Sequence, residues 1–270
     1  MRIESAANPR YRSLVALIES AHERRKLGRS VLEGHKLIRS FLDRTGDGSD
    51  GGCLQALFVA ESVLQRPAVD DLLRRSPVTP LVLEQSLFKR TSRQPSPDGT
   101  LAVIDTPAPA LPEALTGDVL YLDRLQDPGN MGTILRTCAA AGIDRVVTAP
   151  GTVFCWSPKV LRAGMGAHFA LTIYEGVPAD RLWQVVDPRC DVWATTIDSG
   201  RQPTSLFDAD LRSPCVWLFG AEGQGLQEAL LGARVSPLTI PQRPHVESMN
   251  VAAAVAVCLF EQRRQRLCGS

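Results

Sequence analysis

From Val119 onward the chain repeats one pattern: a short apolar run, a loop of small or polar residues, then a segment with helical periodicity. The runs begin at Val119, Arg145, Leu171, Val192, Val216 and Leu238. A strand that is apolar throughout, rather than at alternate positions, must be covered on both faces. Helices between successive strands supply that cover, so the pattern predicts an α/β fold around a mostly parallel sheet. Residues 133–141 read as one such helix, ended by Gly142, with Asn130 as its cap. Ser157 followed by Pro158 reads as the start of another, and residues 179–185 as a third.

Upstream, strands and helices alternate on a smaller scale. Residues 9–24 carry Leu14, Leu17, Ile18 and Ala21 at helical spacing. Ser30 opens an extended piece, Gly34 a turn, and a helix follows to Leu42; residues 45–52 form a loop by composition. Strands are expected over residues 54–60, 81–83 and 101–104, with helices over 68–75 and 85–89. Pro107, Pro109 and Pro112 then make a stiff connection. The expected division is a first domain over residues 1–106, a linker over 107–116 and a second domain over 117–270.

The chain has 270 residues, 44% of them hydrophobic and 22% charged, in the range of a globular protein with a buried core. No apolar run approaches the roughly 18 residues that span a bilayer, and the first residues lack the apolar stretch of a secretory signal. No membrane partner and a cytoplasmic location are therefore expected. The seven cysteines include no C-x-x-C pair and the four histidines stand apart, so neither a disulfide framework nor a metal site is expected. Net charge is +1, yet residues 1–45 hold ten basic and five acidic residues. Arg24, Arg25, Lys26 and Arg29, with Lys36 and Arg39, fit either a solvated helix face or a surface that tracks the phosphates of a polyanion.

Three strand–loop–helix junctions carry polar residues. The first holds Asn130, Gly132 and Arg136; the second Gly220, Glu222, Gly223 and Gly225; the third Ser248 and Asn250 ahead of an alanine-rich helix. In an open parallel sheet such junctions converge at the edge where ligands bind. The glycine loop is not G-x-G-x-x-G, and the acid of a dinucleotide site is missing about 20 residues later. No P-loop lysine follows it. Ser248 and His245 lack the G-x-S-x-G elbow of a hydrolase.

These segments resemble the SpoU (TrmH-type) family of RNA ribose 2′-O-methyltransferases, of the SPOUT superfamily. Asn130-Met-Gly-Thr-Ile-Leu-Arg136 is similar to the family's first motif, Leu218-Phe-Gly-Ala-Glu-Gly-Gln-Gly-Leu226 to its second, and Ile240-Pro with Ser248-Met-Asn-Val-Ala252 to its third. Ser30 to Ile38 and Gly99 to Val103 resemble, more weakly, the family's L30e-like substrate-binding domain. The resemblance implies a deep trefoil knot in the second domain, an exception to the rule against threading. It also implies S-adenosylmethionine as cofactor, a homodimer, and structured RNA as substrate, with ribosomal RNA favoured over tRNA.

Carried over by position, Thr195, Gly220, Ile240 and Met249 contact the cofactor. Arg136, Asn130, Glu222, Ser248 and Asn250 take the catalytic and RNA-positioning places, and the basic N-terminal residues become an RNA platform. Two positions depart from the family pattern. Met249 replaces the usual leucine, a near-isosteric change, and Gly164 stands where the family often has serine. The alternative expectation is a non-catalytic RNA-binding or ribosome-associated module with the same fold.

Overall fold

The computed structural model describes residues 1–45, 53–92, 94, 96–195, 202–221, 223–232, 234–243, 245 and 248–268. The chain divides into two compact units, one of residues 1–107 with 156–169, the other of 108–155 with 170–270.

In chain order the elements are β1 (Arg2–Ile3), α1 (Pro9–Glu19), α2 (Ala21–Leu27), β2 (Arg29–Glu33), α3 (His35–Thr45), β3 (Leu54–Ala60), α4 (Pro67–Arg75), β4 (Leu81–Leu83), α5 (Gln85–Thr91), β5 (Thr100–Asp105), β6 (Val119–Asp123) and α6 (Pro128–Ala141). Then follow β7 (Arg145–Thr148), α7 (Pro158–Gly164), β8 (Thr172–Tyr174), α8 (Ala179–Val185), β9 (Asp191–Thr195), β10 (Thr204–Ser205), β11 (Cys215–Gly220), β12 (Val235–Thr239) and α9 (Val251–Cys268).

The first unit is built on a five-stranded sheet of order β1-β4-β3-β5-β2. β1, β4 and β3 run parallel, whereas β5 is antiparallel to both β3 and β2. The helical pattern of residues 9–24 resolves into two helices. Ser20 leaves helical geometry (φ −110°, ψ 116°), and its side chain accepts from Glu23 N at 3.2 Å to start α2. A serine that offers its hydroxyl to the backbone competes with helix continuation, and the apolar spacing gave no sign of it. Residues 156–169 join this unit as well: Phe41 meets Phe169 edge-on at 5.5 Å, and Trp156 lies 5.2 Å from His168.

The second unit carries a seven-stranded, wholly parallel sheet of order β10-β12-β9-β11-β6-β7-β8. β6 is buried along its whole length and β11 along all but its last residue, with Tyr121 and Trp217 inaccessible to solvent. Such burial is possible because helices cover both faces. Strand order reverses beside β6: β7 and β8 extend to one side, while β9, β11 and β12 lie on the other. α9 is held to the sheet by a buried polar chain. Trp217 Nε1 donates to Gln262 Oε1 at 3.1 Å, Gln262 Nε2 donates to Asp118 Oδ1 at 3.1 Å, and Arg266 donates to both oxygens of Asp118. No described helix is long and apolar enough to cross a membrane.

Candidate active site

In a parallel sheet every strand ends on the same edge, and the crevice beside the reversal point is where the loops part to admit a ligand. Here β6 and β11 are neighbours, with Asp123 opposite Gly220 at their C-terminal ends. Next to them β9 ends at Thr195, opposite Leu238 of β12. A cavity of about 450 Å³ opens at this edge, lined by the loop after β11, the end of β12 and the approach to α9. Its size lies in the range that holds a cofactor.

Thr195, Gly220, Ile240 and Met249 all line this cavity, so the structure brings together the four residues expected to contact the cofactor. Ser248 lines it too. Around them are backbone-rich positions, Ala221, Gly223 and Gly225, and apolar ones, Leu238, Val251 and Ala254. No charged side chain lines the cavity among the described residues. A polyphosphate would be left without a counter-charge there. The apolar lining suits a flat ring system and the backbone-rich positions suit its hydrogen-bonding edges, as in the adenosine part of S-adenosylmethionine. Gly220 is required by close approach: a Cβ there would stand 2.3 Å from Gly225 C and 2.4 Å from Gly225 O. The loop folds back onto its own start, with Gly225 N donating to Ala221 O at 3.0 Å.

Asn130 and Asn250 are 120 residues apart in sequence, and Asn250 Nδ2 donates to Asn130 Oδ1 at 3.0 Å. The expected role of Asn130 as helix cap is corrected. Asp127 Oδ1 accepts from Asn130 N at 2.7 Å, and Pro128 opens α6. Proline's fixed φ and lack of an N–H suit the first helical position, which puts the cap one residue before it. The Asn130 side chain is thereby freed for Asn250. Asn250 itself caps α9, its Oδ1 accepting from Ala252 N at 3.0 Å and Ala253 N at 3.3 Å. Arg136 is exposed on α6 and does not line the cavity; no hydrogen bond or ion pair engages its guanidinium among the described residues. Glu222 lies outside the described residues.

Of the six basic residues expected to meet RNA, Arg25, Lys26, Lys36 and Arg39 are exposed and Arg29 is half-buried. Arg24 is different. It is only 7% exposed, and its Nη1 donates to Leu17 O at 2.6 Å and Ile18 O at 3.1 Å. It satisfies carbonyls left open at the end of α1 and does not belong to the exposed basic set. Burial, with Arg25 nearby, lowers its pKa. Gly164, the departure from the family pattern, closes α7 in the first unit.

Sequence reasoning passed over Asp123, which is fully buried at the end of β6 beside Gly220. It accepts from Arg124 and from Gln227, at the far end of the glycine loop. An acid closing an unbroken apolar strand was the available signal, since a buried carboxylate must have partners.

Comparison with known proteins agrees with this geometry. Residues 118–260 match the SpoU rRNA Methylase family. An uncharacterized tRNA/rRNA methyltransferase of Synechocystis is 34% identical, the alignment covering 99% of this chain and 95% of that protein. The 23S rRNA guanosine 2′-O-methyltransferase RlmP of Bacillus subtilis is 28% identical, over 97% of this chain and 99% of its own length. Among solved structures, an AdoMet-bound rRNA methyltransferase from Sinorhizobium meliloti superposes with a TM-score of 0.82 at 25% identity, covering 98% of this chain and 97% of that one. With the family model matched over more than half of its 270 residues, this chain belongs to the SpoU family of RNA methyltransferases.

Proposed function

We propose that the protein methylates a ribose 2′-hydroxyl of structured ribosomal RNA, with the residues around the β6–β11 edge dividing the work. The observation that carries this reading is the cavity free of charged lining among the described residues, at the edge where the Asn130–Asn250 pair also sits. S-adenosylmethionine, when bound, supplies a methyl group already activated by its positive sulfur. The chain's task is to align a displacement and to favour loss of a proton from a weak nucleophile. Thr195, Gly220, Ile240 and Met249 hold the methyl donor. Asn130, Asn250, Ser248 and Glu222 orient the ribose or the arginine that approaches it.

Arg136 acts through its charge and its planar fork of donors. It grips a neighbouring phosphate and lowers the hydroxyl's pKa by its charge. Its exposure, and its freedom from other partners among the described residues, support that role. Arg25, Lys26, Arg29, Lys36 and Arg39, in an L30e-like domain, track the backbone phosphates. The trefoil knot is supported by the strand order, in which β11 enters between β6 and the earlier β9 and β12 then pairs outside β9. A second copy of the chain is proposed to cover the apolar surface of α9, where Phe260 is 47% exposed. None of the seven cysteines is paired in a disulfide, which suits a reducing compartment, here proposed to be the cytoplasm.

The test is to map ribose methyls on total RNA from cells with and without the gene, and to repeat the reaction with purified protein. One 23S-type position that loses its methyl in the deletion and regains it in vitro is the expected result. An unchanged map, with no heat on titrating S-adenosylmethionine, would establish the non-catalytic module instead.

A further inference from the structure

We infer that Asp123 is a positioning residue for the methyl donor: its carboxylate fixes the loop after β11 that forms one wall of the cofactor cavity. The inference rests on the methyl-donor reading of that cavity. Asp123 has no solvent exposure. Its Oδ1 accepts from Arg124 Nε at 3.1 Å and Gln227 Nε2 at 3.0 Å, and its Oδ2 accepts from Arg124 Nη2 at 3.1 Å and Gln227 N at 2.8 Å. Each oxygen thus receives one donor from each neighbour.

Among the described residues, the loop between Gly220 and Gln227 is tied to the sheet at both of its ends. Its start is continuous with β11, where Gly220 lies opposite Asp123. Its end is held by Gln227, through backbone and side chain, on that same Asp123. Between these points the chain turns on itself, Gly225 N bonding to Ala221 O, and Ala221, Gly223 and Gly225 line the cavity. Arg124 adds a brace. Its Nη2 is 3.5 Å from Gly225 O and its Nη1 3.5 Å from Gln224 Oε1. Arg124 adopts φ +56°, unusual outside glycine, and its N–H donates to Thr152 Oγ1 at 3.1 Å. Such a backbone persists where its surroundings hold it in place. The geometry accounts for an acid here rather than an amide. Among the described residues, all four groups bonded to the side chain are N–H donors, and only a carboxylate accepts at both of its oxygens.

Asp123→Asn is the decisive variant, because its shape is unchanged and either orientation of the amide opposes its NH2 to two donors. Binding of S-adenosylmethionine would be measured by calorimetry, thermal stability by melting, and kinetics with cofactor and RNA varied separately. The expected result is a cofactor Kd and KM raised about ten-fold or more, with the KM for RNA and the saturated kcat within about three-fold of wild type. A folded Asp123→Asn protein that binds the cofactor within about two-fold of wild type overturns the inference, as does a rise confined to the KM for RNA. Should Asp123→Asn fail to fold, Gln227→Ala removes a single bond to Oδ1 and is expected to weaken the cofactor about three-fold. Unchanged affinity there overturns it equally. Wild-type protein that gives no heat with S-adenosylmethionine refutes the cofactor reading itself, a failure visible before any variant is compared.

Discussion

Gly220→Ala tests the cavity at its tightest point. The added Cβ would lie 2.3 Å from Gly225 C, 2.4 Å from Gly225 O and 2.6 Å from Leu226 N, all backbone atoms of the wall that lines the cavity. Ordinary contact begins near 3.4 Å, so the loop must retreat by about 1 Å along this direction. No flexible side chain can absorb the shift. Forcing a methyl into packed surroundings costs about 1–3 kcal/mol. If that cost falls on the bound geometry, it weakens S-adenosylmethionine about 5- to 150-fold. If it falls on the fold, it lowers the melting temperature by about 2–4 °C per kcal/mol. Calorimetry and a thermal melt on the same preparation separate the two. Gly232→Ala is the control, since its Cβ meets no atom within 4 Å and its φ is not positive; it is expected to bind and melt like wild type. A Gly220→Ala protein with affinity within about two-fold of wild type and an unchanged melt would refute the close-approach argument.

Three further outcomes follow from the same geometry. Arg136→Lys keeps the charge and loses the planar fork; since Arg136 does not line the cavity, turnover is expected to fall about 100-fold with the cofactor Kd unchanged, and near-wild-type turnover would show that bidentate geometry is dispensable. Lys36→Ala/Arg39→Ala is expected to reduce the salt dependence of RNA binding by about 0.7–0.9 in log–log slope for each phosphate no longer neutralised, whereas Arg24→Ala, which removes a cap on α1, is expected to destabilise the protein by about 1–3 kcal/mol and leave the slope alone. Burial pushes the Cys258 thiol up to about 12, and it raises the thiols of Cys138, Cys155 and Cys215 too. From about pH 9 upward the unfolded chain releases these protons while the folded one keeps them, so stability is expected to fall as pH rises toward 12, by at most about 1.4 kcal/mol per pH unit per thiol. Urea melts between pH 8 and about 10.5 read this directly, and a flat profile would contradict the burial of the four thiols.

Much of the site was legible in the residues because its chemistry lies in local patterns. An unbroken apolar run such as Val119 to Leu122 fits a strand covered on both faces, and β6 is buried throughout. Gly220, Ile240, Met249 and Thr195 stand at strand ends or in the loops beyond them, and in a parallel sheet all strand ends meet at one edge. The sequence by itself therefore determined the fold class and the family, and it singled out several of the residues that line the cavity. Other features needed three dimensions, because their partners are distant in sequence or they depend on competition between local options. The break at Ser20 and the cap at Asp127 each turned on which side chain captured a backbone N–H. Arg24 reads as one of four clustered cations, and only the path of α1 turns its guanidinium onto the carbonyls of Leu17 and Ile18. Asn130 meets Asn250, and Asp123 meets Gln227, because β11 settles beside β6 and α9 beside α6. A linear pattern records which residues are apolar or polar. Which buried acceptor each donor finds is decided when the strands take their order.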